Sequence, residues 1–380
     1  MVLHRVLLSL LALPFSALAT PAWWGPVPEG VLVDTAADRA VNAGLYVDDH
    51  QIVERPQGRA EFRRASYKVE GDPMGIPMDV LSSVEFDPSR QEVLVQYAPR
   101  VWLHSAEEYF PSSVEFGFPS MTRFVGPDGN YWVRSTIDLD SPSDDSLAFF
   151  LGDLDDAPVY AYYADKGNDI VDLVYFFYYP YNRGKEVVDT IWGNHVGDWE
   201  HITVRLMRGP DDALTPLQVY LSAHSFGGAY DWADIERLDT HPVVYSAKGS
   251  HGVWSTPGDH VYMSIGEEVL GVCVTLVCTD LTDLTDAGIA WDTWENVAGF
   301  DHGAKEGLAG QTWPVWMSED FKAPGAQPVD VPGGGAIFRW GNEEDCSTLG
   351  VDISDLIGVC RLEDGPTGPV SKDTWGPMLQ

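Results

Sequence analysis

The chain has 380 residues, and its 58 acidic against 23 basic side chains give a formal net charge of −35. Such a field repels nucleic acid and anionic membrane surfaces at long range, so neither is expected as an electrostatic partner. Aromatic residues make up 12% of the chain, which excludes a disordered polymer and supplies enough apolar area for a large core.

In chain order, residues 1–19 open Met1-Val2-Leu3-His4-Arg5, run apolar and close on Ala17-Leu18-Ala19. A basic start, an apolar stretch and a small-residue site predict a secretory signal peptide cut after Ala19. The stretch is too short for a bilayer span, and no later segment is long and apolar enough for a transmembrane helix. Residues 20–90 are broken by Pro21, Pro26, Pro28, Pro56, Pro73 and Pro77 and read as an irregular N-terminal arm. From 91 to 361, short apolar or alternating runs follow one another between turn residues. They are Glu92–Gln96, Val159–Tyr163, Asp169–Tyr179, Ile202–Met207, Leu217–Ala223, Val243–Ser246, Val261–Ile265 and Ala336–Trp340. This spacing predicts a mainly β chain, an antiparallel β-sandwich with long loops. Short helices are expected at Asp231–Leu238 and Thr282–Trp294. Ala323–Gly335 reads as a Pro/Gly loop, and 362–380 as a loose C-terminal tail.

Four cysteines in an exported chain predict disulfides, with local pairing, Cys273–Cys278 and Cys346–Cys360, preferred among the three possible connectivities. Their spacings do not suit a zinc ribbon or finger.

The chemistry concentrates in Gly193-Asn194-His195-Val196-Gly197-Asp198-Trp199-Glu200-His201-Ile202. Beyond it Ile202, Val204 and Leu206 alternate with Thr203 and Arg205, so Asp198 and Glu200 share the parity of the apolar ladder. A regular strand would set their Cα atoms roughly 6.5–7 Å apart on one face. Two buried carboxylates must share a cation, pair with a base or take up a proton. A divalent metal ion is the expected cofactor: Mg²⁺, Ca²⁺ or Mn²⁺ by the oxygen ligands, with Zn²⁺ if several imidazoles bind directly. The expected metal ligands are Asp198, Glu200, His195, His224 and Asn182.

Other segments are loaded in the same way. The strand Leu217–Leu221 runs into His224, and Tyr245-Ser246-Ala247-Lys248-Gly249-Ser250-His251-Gly252 runs from a strand into a Gly-rich turn. Five of the ten histidines, His195, His201, His224, His251 and His260, fall at such strand ends, where loops on a rigid scaffold carry sites. Trp192, Trp232 and Trp254 are candidates for stacking surface near the site. No G-x-S-x-G elbow, phosphate-cradling loop or dinucleotide fingerprint is present.

Three readings stay open on this evidence. One is a secreted metal-binding module for a polar ligand such as a glycan or lipid head group. The second is a metal-assisted hydrolase of a phosphoester or glycoside, with His224 or His251 as general acid or base. The third is a structural protein whose polar cluster needs no ion.

Four stretches resemble the vacuolar protein sorting-associated protein 62 family: Tyr97–Ser112, the aromatic run Tyr175–Gly184, Val196–Arg205 and Tyr245–Gly252. That resemblance implies a role in delivery of proteins to the vacuole. The order of aromatic strand, H-x-x-D-W-E-H and S-A-H is also similar to the necrosis- and ethylene-inducing-like proteins. This second likeness implies a β-sandwich with a divalent cation, carried by His195, Asp198, Glu200 and His224. Asn194, Val196 and Gly197 depart from that family's heptapeptide, and Asn182 stands where it places an aspartate.

Overall fold

From Val171 to Asn182 every residue of the aromatic run is buried, so this strand is covered on both faces. The computed structural model describes residues 88–380 apart from 126–130, 138, 140–143, 188–189, 225, 267, 270–271, 274–277, 304–305, 309–337, 349–350, 353–359 and 370–371. The expected signal peptide, the expected arm up to residue 87 and the expected Pro/Gly loop lie outside the described residues.

A helix, Pro88–Tyr97, leads into β1 (Arg100–Leu103), β2 (Met121–Val125) and β3 (Tyr131–Ser135), and a second helix covers Asp144–Leu151. Then come β4 (Val159–Gly167), β5 (Ile170–Asn182), the short β6 (Lys185–Val187) and β7 (Thr190–Trp192), and β8 (His195–Arg208). They are followed by β9 (Leu214–Ala223), β10 (Phe226–Asp231), β11 (Arg237–Leu238), β12 (His241–Ser246), β13 (Val253–Trp254) and β14 (Gly258–Ile265). A seven-stranded sheet runs β10-β9-β8-β5-β4, then Val297–Asp301 and Glu306–Gly307. A five-stranded sheet runs β11-β12-β1 to Ile289–Asp292, with β13 also paired to β12. Most pairings are antiparallel, as expected. The parallel ones are β1 with β12, Val297–Asp301 with β4, and Phe338–Trp340 with β3.

Tyr175, Phe177 and Tyr179 point to one core, together with Val101, Val244 and Trp291 of the smaller sheet. Val174, Phe176 and Tyr178 point to the other, with Phe149, Trp199 and Trp340. Each fully buried apolar side chain contributes about 1.5–3 kcal/mol, so β5 anchors both cores. The alternation breaks once. Tyr181 and Val196 lie in the second core although Tyr179 lies in the first, and the break falls at the Pro180/Gly197 level of the β5–β8 ladder. Gly197 has φ +74°, and a Cβ there would meet the Trp340 carbonyl at 2.8 Å. Only glycine fits that backbone and that approach.

Several expected elements differ. Glu92–Gln96 belongs to the helix Pro88–Tyr97 rather than to a strand. Pro88 suits a first helical turn and Pro99 follows the end, while Leu94 and Tyr97 form the buried side. Asp231–Leu238 holds a turn and the two-residue β11 in place of a helix. Thr282–Trp294 lies in strands Thr279–Thr285 and Ile289–Asp292, followed by a 3₁₀ turn. Leu281, Asp283 and Thr285 are buried on one parity, a period of two that a helix cannot match. The tail is docked, not loose: Thr374 is buried and the Trp375 ring packs on Tyr162 and Phe176.

Cys346 and Cys360 form a disulfide, and Cys278 is disulfide-bonded too. The side chain of Cys273 lies outside the described residues.

Candidate functional site

Asp198 and Glu200 enter the described face of β8 opposite Tyr179 and Phe177 of β5, and both are buried. Each carboxylate already has a partner. Asp198 Oδ2 lies 2.9 Å from His251 Nδ1, and Ser222 Oγ donates to Glu200 Oε2 in a very short bond. The other ring nitrogen of His251 donates to the Tyr109 carbonyl at 3.1 Å. With oxygen acceptors at both nitrogens, the fully buried ring is an imidazolium, and it stacks on Tyr179 with centroids 3.7 Å apart.

The break in alternation at Gly197 turns His195 to the same side, its Nε2 3.9 Å from Asp198 Oδ1. Its Nδ1 is buried without a hydrogen-bond partner. Asn182 pairs with His195 across the ladder, but its Nδ2 donates to the Gly193 carbonyl at 2.8 Å. Its amide therefore braces the hairpin between β5 and β8.

A second cluster lies beside the first and is centred on Asp283, which is fully buried. Its Oδ2 lies 2.9 Å from His224 Nε2 and accepts from Trp254 Nε1 at 3.0 Å. Its Oδ1 accepts from Ser250 Oγ at 2.6 Å and faces Lys185 Nζ at 3.1 Å. Lys185 also donates to Ser250 Oγ at 3.0 Å. The structure thus turns His224 toward Asp283. Both His224 (φ +54°) and His251 (φ +60°) occupy the left-handed region, where non-glycine residues cost free energy and histidine is among the tolerated exceptions.

Burial pushes Asp198 up, but the hydrogen bond from His251 and the charges of His195 and His251 outweigh it, so its pKa lies below the usual range. Burial and then the neighbouring Asp198 charge raise Glu200 to about 7. Burial lowers His251, and the Asp198 bond with the Glu107, Asp198 and Glu200 charges raises it above its ordinary value. His224 is raised in the same way by Asp283 against burial, and Asp283 is held well below the carboxylate range. His195 is lowered, chiefly by burial.

The expected site is therefore partly assembled. Asp198, Glu200 and His195 share a face, His251 holds Asp198, and His224 and Asn182 are engaged elsewhere. His201 points to the opposite face, stacked on Phe176, and burial lowers it to about 3. His260 stacks on Trp254 outside the cluster. The tryptophans expected as stacking surface are largely committed to packing: Trp192 is buried, Trp232 meets Tyr97, and Trp254 bonds to Asp283. Sequence reading missed Asp283, Ser222 and the Lys185–Ser250 link. In the sequence Leu281 and Leu284 lie three apart, and the period of two at Leu281, Asp283 and Thr285 exists only in their burial.

Two buried carboxylates and one imidazole are donors of the kind a divalent cation takes, but the ligand atoms of Asp198, Glu200 and His195 do not all lie within 4.8 Å of one another. Among the described residues, the one group of three His, Cys, Asp or Glu with ligand atoms within 4.8 Å is Glu344, Cys346 and Cys360, and those cysteines form the disulfide.

Residues 121–293 match the family model of vacuolar protein sorting-associated protein 62. The chain is 31% identical over 209 residues to the Saccharomyces cerevisiae protein of that name, covering 50% of this chain and 41% of that protein. It is 33% identical over 155 residues to the putative vacuolar protein sorting-associated protein TDA6 of the same yeast, covering 36% and 30%. The matches thus span less than half the length of these curated relatives. Among solved structures, NLPPya in complex with glucosamine aligns with a TM-score of 0.30 at 20% identity, over 48% of this chain and 76% of that one. The Necrosis and Ethylene inducing Protein 2 of the agent of cocoa's Witches Broom disease aligns with a TM-score of 0.29 at 22% identity, over 48% and 74%. The stretch that carries Asp198, Glu200, His251 and the Asp283 cluster is the one over which the chain matches the vacuolar protein sorting-associated protein 62 family.

Proposed function

We propose that this chain is a divalent-cation-binding β-sandwich module of the secretory pathway, recognising a small polar ligand such as a glycan or lipid head group. The observation that carries the proposal is the trio on β8, two buried carboxylates and a partly buried imidazole. Asp198 and Glu200 lie on one face, and His195 joins them with its Nε2 3.9 Å from Asp198 Oδ1. Asp198, Glu200 and His195 would hold the ion, with water completing the shell of a cation such as Mg²⁺, Mn²⁺ or Ca²⁺. The ion would supply positive charge for an oxygen-rich ligand. His251 keeps Asp198 ionised and fixed, and Ser222 orients Glu200. The names of the curated relatives support a place in vacuolar protein sorting.

The test is metal content of the purified full chain by inductively coupled plasma mass spectrometry, with calorimetric titration of Mn²⁺, Mg²⁺ and Ca²⁺. About one ion per chain is expected, and Asp198→Asn with Glu200→Gln should weaken binding at least ~100-fold. Unchanged affinity in the folded double variant would remove this assignment.

The Asp283–His224 pair supports a second reading, hydrolysis, because a buried carboxylate orienting a histidine is the arrangement of a general base. Turnover of a phosphodiester or aryl glycoside that is lost in His224→Gln while metal binding persists would establish it.

A further inference from the structure

On the outer face of the seven-stranded sheet Asp172, Lys166 and Arg205 form an ionic group that meets residues 372–377, and Thr203 Oγ1 donates to the Gln380 carbonyl at 2.7 Å. Asp172 is fully buried and holds the Arg205 fork through two bonds of 2.8 Å, with Lys166 Nζ 3.5 Å away. The two cations point at main-chain carbonyls. Lys166 donates to Thr374 at 2.7 Å and Gly376 at 2.6 Å, and Arg205 donates to Pro377 at 3.1 Å. Between these bonds the Trp375 ring stacks on His302 with centroids 4.0 Å apart and meets Tyr162 at 5.1 Å. Its Nε1 donates to the Pro369 carbonyl at 2.8 Å. The segment makes no strand pairing with the sheet; its regular element is the 3₁₀ turn Asp373–Trp375. His201, 7% exposed with both ring nitrogens unpartnered, lies on the same face against Phe176, which also contacts Trp375.

Main-chain carbonyls taken by fixed cations, plus one aromatic anchor in a slot, are groups by which a protein can hold a short peptide turn. We propose that this face is a peptide-recognition groove. Its ligand class is a segment that makes a 3₁₀ turn with Trp followed by Gly-Pro, and residues 372–377 occupy it in cis. Asp172 pre-orients both cations, so the groove needs little ordering to accept a ligand. Tyr162 and Phe176 form the walls, and Gly376-Pro377 lets the chain turn away past the anchor.

The experiment keeps the full chain during folding. A protease recognition sequence is inserted between Val370 and Ser371, the purified protein is cleaved, and a fluorescent peptide spanning residues 372–380 is offered. Retention of the cleaved segment through gel filtration, or saturable uptake of the labelled peptide, is expected. A peptide with Trp375→Ala should bind at least ~10-fold more weakly, and so should the intact peptide on a Lys166→Met chain. A cleaved chain that loses the segment, keeps its melting temperature and takes up no peptide would overturn the proposal. So would a cleaved chain that unfolds and cannot be rescued by peptide, because the segment would then be a part of the core.

Discussion

At the scale of single residues, the buried pair Asp198–His251 sets the pH response. The Asp198 contribution is present above its unfolded value of 3.8 and is lost as pH falls through its depressed folded pKa. The His251 contribution is complete below 6.5 and is lost as pH rises through its raised folded pKa. The pair therefore stabilises most between 3.8 and 6.5. His251→Gln should cost about 3–5 kcal/mol near pH ~5.5 in urea unfolding, and the difference should shrink toward pH ~9. A difference flat across that range would show that the ring is not an imidazolium. Glu200 has the sign opposite to Asp198 and the same as His251. Its proton is held more tightly in the folded state, so ionisation from 4.5 to about 7 erodes stability as pH rises. In chelator above pH ~8, Glu200→Gln should be more stable than wild type by roughly 1–3 kcal/mol. A less stable variant would mean that the Glu200 charge is already compensated.

At the scale of elements, β8 works because its alternation fails at one position. Strict alternation would place His195 opposite to Asp198, and the left-handed Gly197 brings both to one side. Gly197→Ala must either displace Trp340 or change the backbone, and should cost roughly 2–4 kcal/mol in thermal unfolding. In the same variant cation affinity should fall, since His195 leaves the face; unchanged affinity would exclude His195 as a ligand. The alternation of Ile202, Val204 and Leu206 made the parity of Asp198 and Glu200 legible. Parity alone gave no reason to put His195 on the face of Asp198 and Glu200. Asp283 went unseen because Thr282–Trp294 reads as a short helix, whereas in the fold the burial of Leu281, Asp283 and Thr285 repeats every two residues as in a strand.

At the scale of the molecule, two sheets enclose one core and the second core needs a cover assembled from distant pieces. Phe149, Trp340 and Trp375 come from three separate parts of the chain and meet the same face of β5 and its neighbours. Trp375→Ala should lower stability by roughly 2–4 kcal/mol, measured by denaturant unfolding of the full chain. A change within a few tenths of a kcal/mol would return this segment to the loose tail that its composition suggests.

Local pattern alone determined a mainly β chain, the central strand Ile170–Asn182, the parity of Asp198 and Glu200, and the loading of strand ends with histidine. Each of these is a property of neighbouring residues, since alternation and burial repeat every two positions along a strand. Tertiary structure decided the partners. Asp198 meets a ring 53 residues away and His224 a carboxylate 59 residues away. Which imidazole meets which acid depends on how two sheets stack, and no spacing in the sequence encodes that distance. The docking of Trp375 was hidden for the same reason: its slot exists only when β4, β5 and His302 have come together.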